Sequence, residues 1–166
     1  MRLLKLYLKL VRNPGTPESV GRGVAAGLFV SFLLPAGHML LAFPLAMLVR
    51  GARGAALLAT WVVNPITIPL IYPAQCYVGS FIIGDLLSFP EIRQLLSDVM
   101  ADPSWSSVCE LGGELLASFF AGGLILGIAA AVIGYFLTTG MVRRYRVRQA
   151  KRKAERIRRR QAGKVL

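Results

Sequence analysis

Apolar and polar positions along this chain fall into blocks. Gly23 to Val49 and Ala55 to Ile83 are runs of 27 and 29 residues without a charge, and Leu115 to Val142 is a third, of 28. A membrane crossing needs about 20 apolar residues, and uncharged blocks this long point to a bilayer rather than a soluble core. The third run predicts one long transmembrane helix. The first two are broken near the middle, at Leu34-Pro35-Ala36-Gly37-His38 and at Val63-Asn64-Pro65-Ile66-Thr67. Proline and glycine interrupt helices, so each run predicts two helical halves joined by irregular backbone.

Length and flanking charge say how the halves run. A continuous helix over 23–49 would be roughly 40 Å long against a hydrocarbon core of about 30 Å, whereas each half reaches roughly 18 Å. Arg22 precedes this run, and Arg50 and Arg53 follow it. Basic flanks mark cytoplasmic ends, so a re-entrant helical hairpin satisfies both length and charge. A kinked, tilted span satisfies length alone. The second run lies between Arg53 and Asp85, and that change of sign predicts an outward crossing. Its first half is expected over 55–63, with Pro69 and Pro73 prolonging the irregularity before residues 74–83. Irregular backbone at such depth must be buried in protein or face water, and the natural partner of each broken segment is the other. Aligning Pro35 on Pro65 gives a faint 30-residue repeat, a pattern that points to a site near the bilayer midplane.

The remaining segments predict shorter elements. Residues 1–12 put Arg2, Lys5, Lys9 and Arg12 on one helical face and Leu3, Leu4, Tyr7, Leu8 and Val11 on the other, the pattern of a helix lying among headgroups or, alternatively, of a cytosolic helix packed on the rest of the protein. Thr16-Pro17 reads as an N-cap followed by proline at the first helical position. Ser88-Phe89-Pro90-Glu91 resembles a capping box ahead of Ile92, Leu95, Leu96, Val99 and Met100 on one face. A short helix on the outer leaflet is expected there, with Trp105 as its interface anchor. Stripes of small residues at Gly23, Gly27, Ser31 and at Gly123, Gly127, Ala131 predict close helix packing, either against each other or as a homodimer seam. The expected fold is an all-α integral membrane protein: two Pro-broken, re-entrant-type segments, one long transmembrane helix and short amphipathic interfacial helices. Its parts are a basic amphipathic helix at 1–15, a membrane domain at 16–142 and a cytoplasmic polybasic tail at 143–166. The membrane domain divides into broken segments 23–49 and 55–83, an extracytoplasmic acidic segment 84–114 and the transmembrane helix 115–142.

Composition sharpens this. The chain is 55% hydrophobic, 17% charged and carries a net charge of +12. Residues 84–114 hold six of its eight acids, and residues 141–166 hold twelve of its twenty bases. A basic run directly after a span anchors topology and meets acidic lipid; nucleic acid is not the expected partner. Cys76 and Cys109 make no disulfide framework, and with the single His38 they match no zinc-ligand spacing. Paired carboxylates, a Ser/His/Asp set and a phosphate-cradling glycine loop are all missing. No catalytic residue, metal or cofactor is therefore expected.

What polarity the apolar runs contain sits at the breaks. His38, Thr60, Asn64 and Thr67 form the candidate midplane set, around the backbone breaks at Pro35, Gly37 and Pro65. Polar groups at that depth are costly without partners and are functional by default. For Asn64 a structural explanation competes, since an Asn-Pro turn uses the amide to cap the residues that follow. His38 opens a half-helix, whose free N–H groups and positive dipole end suit a phosphate or carboxylate. Arg50 and Arg53 stand at the inner rim as candidate phosphate contacts.

The stretch from Arg22 to His38, then Leu48-Val49-Arg50, then Thr60-Trp61-Val62-Val63-Asn64-Pro65-Ile66-Thr67 closely resembles the bacterial membrane domain family DUF2062. The most specific pieces are a P-x-G-[QH] element at Pro35–His38 and a T-W-x-x-N-P-x-T element at Thr60–Thr67; the resemblance runs from about Thr16 to the end of the last span. Where the family pattern commonly has an Asn two residues after the matched Arg50 and a Gly before the matched Thr60, this chain has Ala52 and Ala59. The resemblance implies a bacterial inner-membrane protein, and relatives with a fused glycosyltransferase domain hint at lipid-linked sugar metabolism. The functions expected are transport of an anionic lipid-linked substrate or, alternatively, a non-catalytic scaffold or accessory subunit for a cell-envelope glycosyltransferase or similar enzyme. Both termini are expected in the cytoplasm. Anionic membrane lipids are the expected partners, with a homodimer or a partner membrane enzyme as the protein-level alternatives.

Overall fold

A computed structural model describes residues 15–84 except Ala36, then Pro90, Ile92, Gln94 and Ser97, and residues 112–162. Among these the secondary structure is helical throughout: α1 (Pro17–Leu33), α2 (His38–Leu48), α3 (Arg53–Ala59) running into a 3-10 turn (Thr60–Val62), α4 (Ile68–Ile83) and α5 (Gly112–Ala162). The expected N-terminal helix lies outside the described residues, as do Trp105 and most of the acidic segment.

The helix ends follow from local chemistry. At the start of α1 the Thr16 hydroxyl accepts from the Ser19 N–H at 3.1 Å, and Pro17 occupies the first turn, where its missing donor costs nothing. Pro35 pushes Leu34 into extended backbone, and Gly37, at φ +70°, supplies the left-handed turn from which α2 starts. α2 then runs back along α1. Its end is closed by bonds from Arg50 N–H to the Met47 carbonyl (3.0 Å) and from Gly51 N–H to the Ala46 carbonyl (2.7 Å). That is a Schellman closure with Arg50, at φ +51°, where glycine is usual. The Ala52 N–H donates to the Ser19 carbonyl at 2.8 Å, which pins the end of the hairpin beside its beginning.

α3 travels parallel to α1. Gly23 lies against the backbone of Ala52, and Gly27 against Ala56 and Ala59. The small-residue stripe of α1 therefore serves α3, and the expectation that it faces the stripe of the last helix is corrected. Gly123 and Gly127 are covered instead by Phe32, Phe29 and Gln75. They pack within the molecule, which removes the residues offered for a homodimer seam.

α5 is the spine. α1 lies antiparallel along its middle, with Gly21 beside Tyr135 and Thr139 and Leu28 beside Gly134. α4 lies antiparallel along its first turns, with Gly79 on the Ser118 carbonyl and Gly122 on that of Gln75. So α1 and α4 stack end to end on one helix, and contacts this close need glycine on one side. The first broken segment reverses direction at its break, whereas the second continues the same way. A 30-residue shift aligns two prolines but not two paths, so the faint repeat is not a structural one. Pro73 is also corrected, since it sits inside α4 without ending it.

Two small cores form around the spine. One gathers Val20, Val24, Leu28, Ala55, Ala59 and Val142; the other gathers Val63, Tyr72, Cys76, Leu115 and Phe119 with Ile92. Ile92 is fully buried, so this residue of the acidic segment packs onto α4 and α5 rather than facing a leaflet. Elsewhere large apolar side chains stand open, among them Leu40, Leu70, Phe81 and Phe136. One helix among the described residues is long and apolar enough to cross a membrane, and only 28% of its most apolar window is buried. α5 does not end where the apolar run does. It continues unbroken through the basic tail to Ala162, so the expected boundary at residue 143 is a change of composition within one helix.

Candidate functional site

The two breaks meet at one level of the bundle. Pro35, Gly37 and the start of α2 come beside the turn between the 3-10 segment and α4, leaving a hollow of about 440 Å³. Gly37, His38, Met39, Trp61, Val63, Asn64, Pro65 and Ile68 line it. From Arg22, at the basic end of α1, to Leu34 is 12 residues or roughly 18 Å of helix, and the apolar part of α5 reaches further still, to Leu115. The hollow thus sits within the apolar length of the molecule.

Each break solves its backbone problem differently. At the first, the end of α1 leaves carbonyls without partners, and α4 supplies the donors. Tyr72 Oη donates to the Pro35 carbonyl at 3.0 Å. Gln75 Nε2 donates to the Phe32 carbonyl and to the Phe119 carbonyl, both at 2.9 Å, tying α1, α4 and α5 at one fully buried point. The second break satisfies itself. Asn64 Oδ1 accepts from the N–H groups of Ile66 (2.9 Å) and Thr67 (3.3 Å), while Asn64 Nδ2 donates to the Trp61 carbonyl at 3.0 Å. Thr67 Oγ1 accepts from Asn64 N–H at 2.9 Å and donates to the Val62 carbonyl at 2.7 Å. The Thr60 hydroxyl donates to the Leu57 carbonyl at 2.8 Å and is fully buried.

The four candidate polar residues therefore separate. His38 and Asn64 share the hollow, while Thr67 is turned into the backbone of the turn and Thr60 into that of α3. Asn64 is also committed to that turn, which leaves His38 at the hollow as a polar side chain without a hydrogen-bond partner. Its Nδ1 is shielded and unpaired, and it stands at the N-terminal end of α2. Cys76 is buried and free. Among the described residues no three His, Cys, Asp or Glu come together as metal ligands would.

Arg50 and Arg53 lie at the opposite end of α2, roughly 16 Å away over its 11 residues. There they form a ledge with Arg22, which donates from Nη2 to the Arg50 carbonyl at 3.1 Å. The Arg53 guanidinium lies over the Phe43 ring, 5.5 Å from its centre, a cation–π contact. The ion pair found among the described residues is nearby, between Arg143 and Glu18 at 3.0 Å. The Glu18 carboxyl is held below its ordinary range by its own backbone N–H at the start of α1 and then by Arg143. The three ledge arginines have no carboxylate of their own among the described residues.

Sequence reasoning missed Gln75 as the junction and Arg22 as part of the ledge. A buried-junction signal for Gln75 was present: it is the lone amide in a run without a charge from Ile68 to Ile83. Arg22 was read only as a flank.

Fold and site define an all-helical protein built on one helix of membrane-crossing length, with a polar break inside the apolar zone and an arginine ledge at its edge. Over residues 1–151 the chain matches the family described as uncharacterized protein conserved in bacteria (DUF2062), and it belongs to that family. The match reaches beyond the motif region into the N-terminal segment. No curated protein and no solved structure matches the chain.

Proposed function

We propose that this chain is an integral protein of the bacterial inner membrane that binds an anionic lipid-linked substrate, such as a polyprenyl phosphate, and moves it across the bilayer. In this reading α3–α4 and α5 cross, while the α1–α2 hairpin enters from the cytoplasmic side and returns.

The observation that carries it is the pairing of ledge and hollow at the two ends of α2. Their separation, roughly 16 Å, is close to the ~15 Å depth of one leaflet's hydrocarbon. Between them α2 offers an open apolar face of Met39, Leu40, Leu41, Phe43, Met47 and Leu48. A phosphate held by Arg50 and Arg53 would lie at headgroup level with its chain along that face. Guanidinium groups suit the task because they bind phosphate bidentately, and each base near an anionic surface contributes about 1 kcal/mol.

His38 supports the second half of the reading. An N–H-rich helix end with an imidazole gives an anion a station within the hydrocarbon, where a bare charge is otherwise costly. The interior is closed by glycine-to-backbone contacts between α1 and α3 and between α4 and α5, which favours a route along the lateral face over an aqueous pore.

Transbilayer movement of a fluorescent polyprenyl phosphate in proteoliposomes tests this. His38→Ala and the double variant Arg50→Gln/Arg53→Gln should each slow movement at least about tenfold, a loss near 1.4 kcal/mol. Equal rates for wild type, both variants and protein-free vesicles would contradict the reading.

A further inference from the structure

The turn between α2 and α3 says more about the ledge than its charge does. Arg50 has a positive φ, +51°, a conformation that L side chains disfavour and glycine adopts freely. The glycine of this turn comes one residue later. Gly51 lies so close to α1 that a Cβ there would meet the Gly23 backbone nitrogen at 2.6 Å. Close approach therefore claims the glycine, and the position of positive φ carries an arginine.

Three bonds hold Arg50 against its local preference. Its N–H donates to the Met47 carbonyl, and the Gly51 N–H donates to the Ala46 carbonyl. Arg22 Nη2 donates to the Arg50 carbonyl at 3.1 Å, which brings one guanidinium to the peptide of another. Backbone held in this way clusters at ligand sites. Bases that only fix topology need to lie near the end of a span; they need neither a positive φ nor a shared turn.

Counting donors narrows the ligand. Arg50 and Arg53 are exposed, and neither side chain has a hydrogen-bond partner among the described residues. Phe43 keeps the Arg53 guanidinium beside the open face of α2. Two guanidinium forks, each giving a pair of parallel N–H bonds, fill the terminal oxygens of one phosphate. Arg22 is then left over. Its Nε is shielded and unpaired and Nη2 already serves the Arg50 carbonyl, so its Nη1 side remains for a ligand. Charge gives the same count. Arg143 is matched by Glu18, whereas the three ledge arginines have no carboxylate among the described residues. A phosphodiester headgroup brings a single negative charge and a terminal phosphate about two at neutral pH. A diphosphate brings more, and offers oxygens to the third arginine.

We propose, resting on the lipid-binding reading of this ledge, that its ligand is a lipid diphosphate. Arg50 and Arg53 hold one phosphate and Arg22 the other, so that the ledge selects a diphosphate over lipid monophosphates and phosphodiesters.

The test uses the full chain in neutral phosphatidylcholine nanodiscs. Fluorescent farnesyl diphosphate and farnesyl monophosphate are the probes, with anisotropy read against empty discs. The diphosphate should bind at least about tenfold more tightly, the effect of one further charged hydrogen bond. Arg22→Gln should weaken diphosphate binding at least about tenfold and monophosphate binding by less than about threefold. Equal affinity of the wild-type chain for the two probes, or equal losses in Arg22→Gln, overturns the proposal; the first comparison needs no variant to fold. Arg50→Gly should weaken both probes at least about tenfold without lowering the unfolding temperature, since glycine suits the turn; undiminished binding overturns the proposal as well. Excess phosphatidylglycerol in the discs should leave diphosphate binding within about threefold, whereas full displacement would show a ledge that takes any anionic lipid. Inorganic pyrophosphate should compete at least about tenfold more weakly than unlabelled farnesyl diphosphate, because it leaves the apolar face of α2 uncovered. Equal competition would assign the ledge to a soluble diphosphate and overturn the lipid. Movement of a polyprenyl monophosphate without a diphosphate preference overturns this inference alone; a preference without movement overturns transport alone.

Discussion

Gln75 shows how a single polar side chain can hold three helices where water is scarce. Its two amide hydrogens serve the Phe32 and Phe119 carbonyls, and the first of these lies in the last turn of α1. Gln75→Leu should destabilise the full chain by about 1–3 kcal/mol in thermal unfolding, since a buried carbonyl loses its donor. Gln75→Glu should cost more, because the ionised form removes both donors and buries a charge. Asn64 behaves like a cap. Asn64→Ala should cost about 1–2 kcal/mol, whereas Asn64→Ser keeps an acceptor for the N–H groups of Ile66 and Thr67 without adding a charge and should cost less; equal losses would contradict the turn assignment. Glu18 gives a pH dependence of known sign. Its folded value is depressed below the ordinary 4.5, so its contribution is present above that value and disappears as pH falls through the folded value. Glu18→Gln should therefore differ slightly from wild type at pH 7 and converge with it in acid. The competing explanation for Asn64 was legible in the sequence because an Asn-Pro turn has a local mechanism. The role of Gln75 was not, because its partners are 43 and 44 residues away.

The helices divide in the same way between local and distant causes. Both breaks were legible from Pro35, Gly37 and Pro65, whose effects need nothing beyond their neighbours. Pro73 was misread because packing can carry a helix through a proline at the loss of one backbone bond; Pro73 is fully buried against its neighbours. The small-residue stripe on α1 was recognisable by its spacing, but spacing gives a face and not the helix that occupies it. Substitutions distinguish the glycines. Gly79→Ala and Gly122→Ala would drive a methyl into the Ser118 and Gln75 carbonyls and should cost at least about 1–3 kcal/mol. Gly140 is helical with open space around it, so Gly140→Ala should be neutral or stabilising by up to about 1 kcal/mol. Gly134 is intermediate, since the atom in the way is the flexible end of Leu28.

At the scale of the whole molecule, the apolar surface and the charge placement support the same orientation. Arg22, Arg50, Arg53 and Arg143 gather at one end of the bundle, and Gly84 and Gly112, which bound the acidic segment in the sequence, stand at the other. Charge order along the sequence was enough to predict that separation. What it could not supply was the stacking of α1 and α4 on one long helix, which depends on glycine positions read in pairs, or the unbroken continuation of α5 into its basic end. The most direct measurement is a set of topology reporters, one active only in the cytoplasm and one only outside it, fused after Arg53, Asp102 and Arg148 of the chain in its native membrane. The expected pattern is inside, outside, inside. An outside signal after Arg53 would make the first apolar run a plain crossing and remove the re-entrant hairpin, and with it the cytoplasmic ledge on which lipid binding is built.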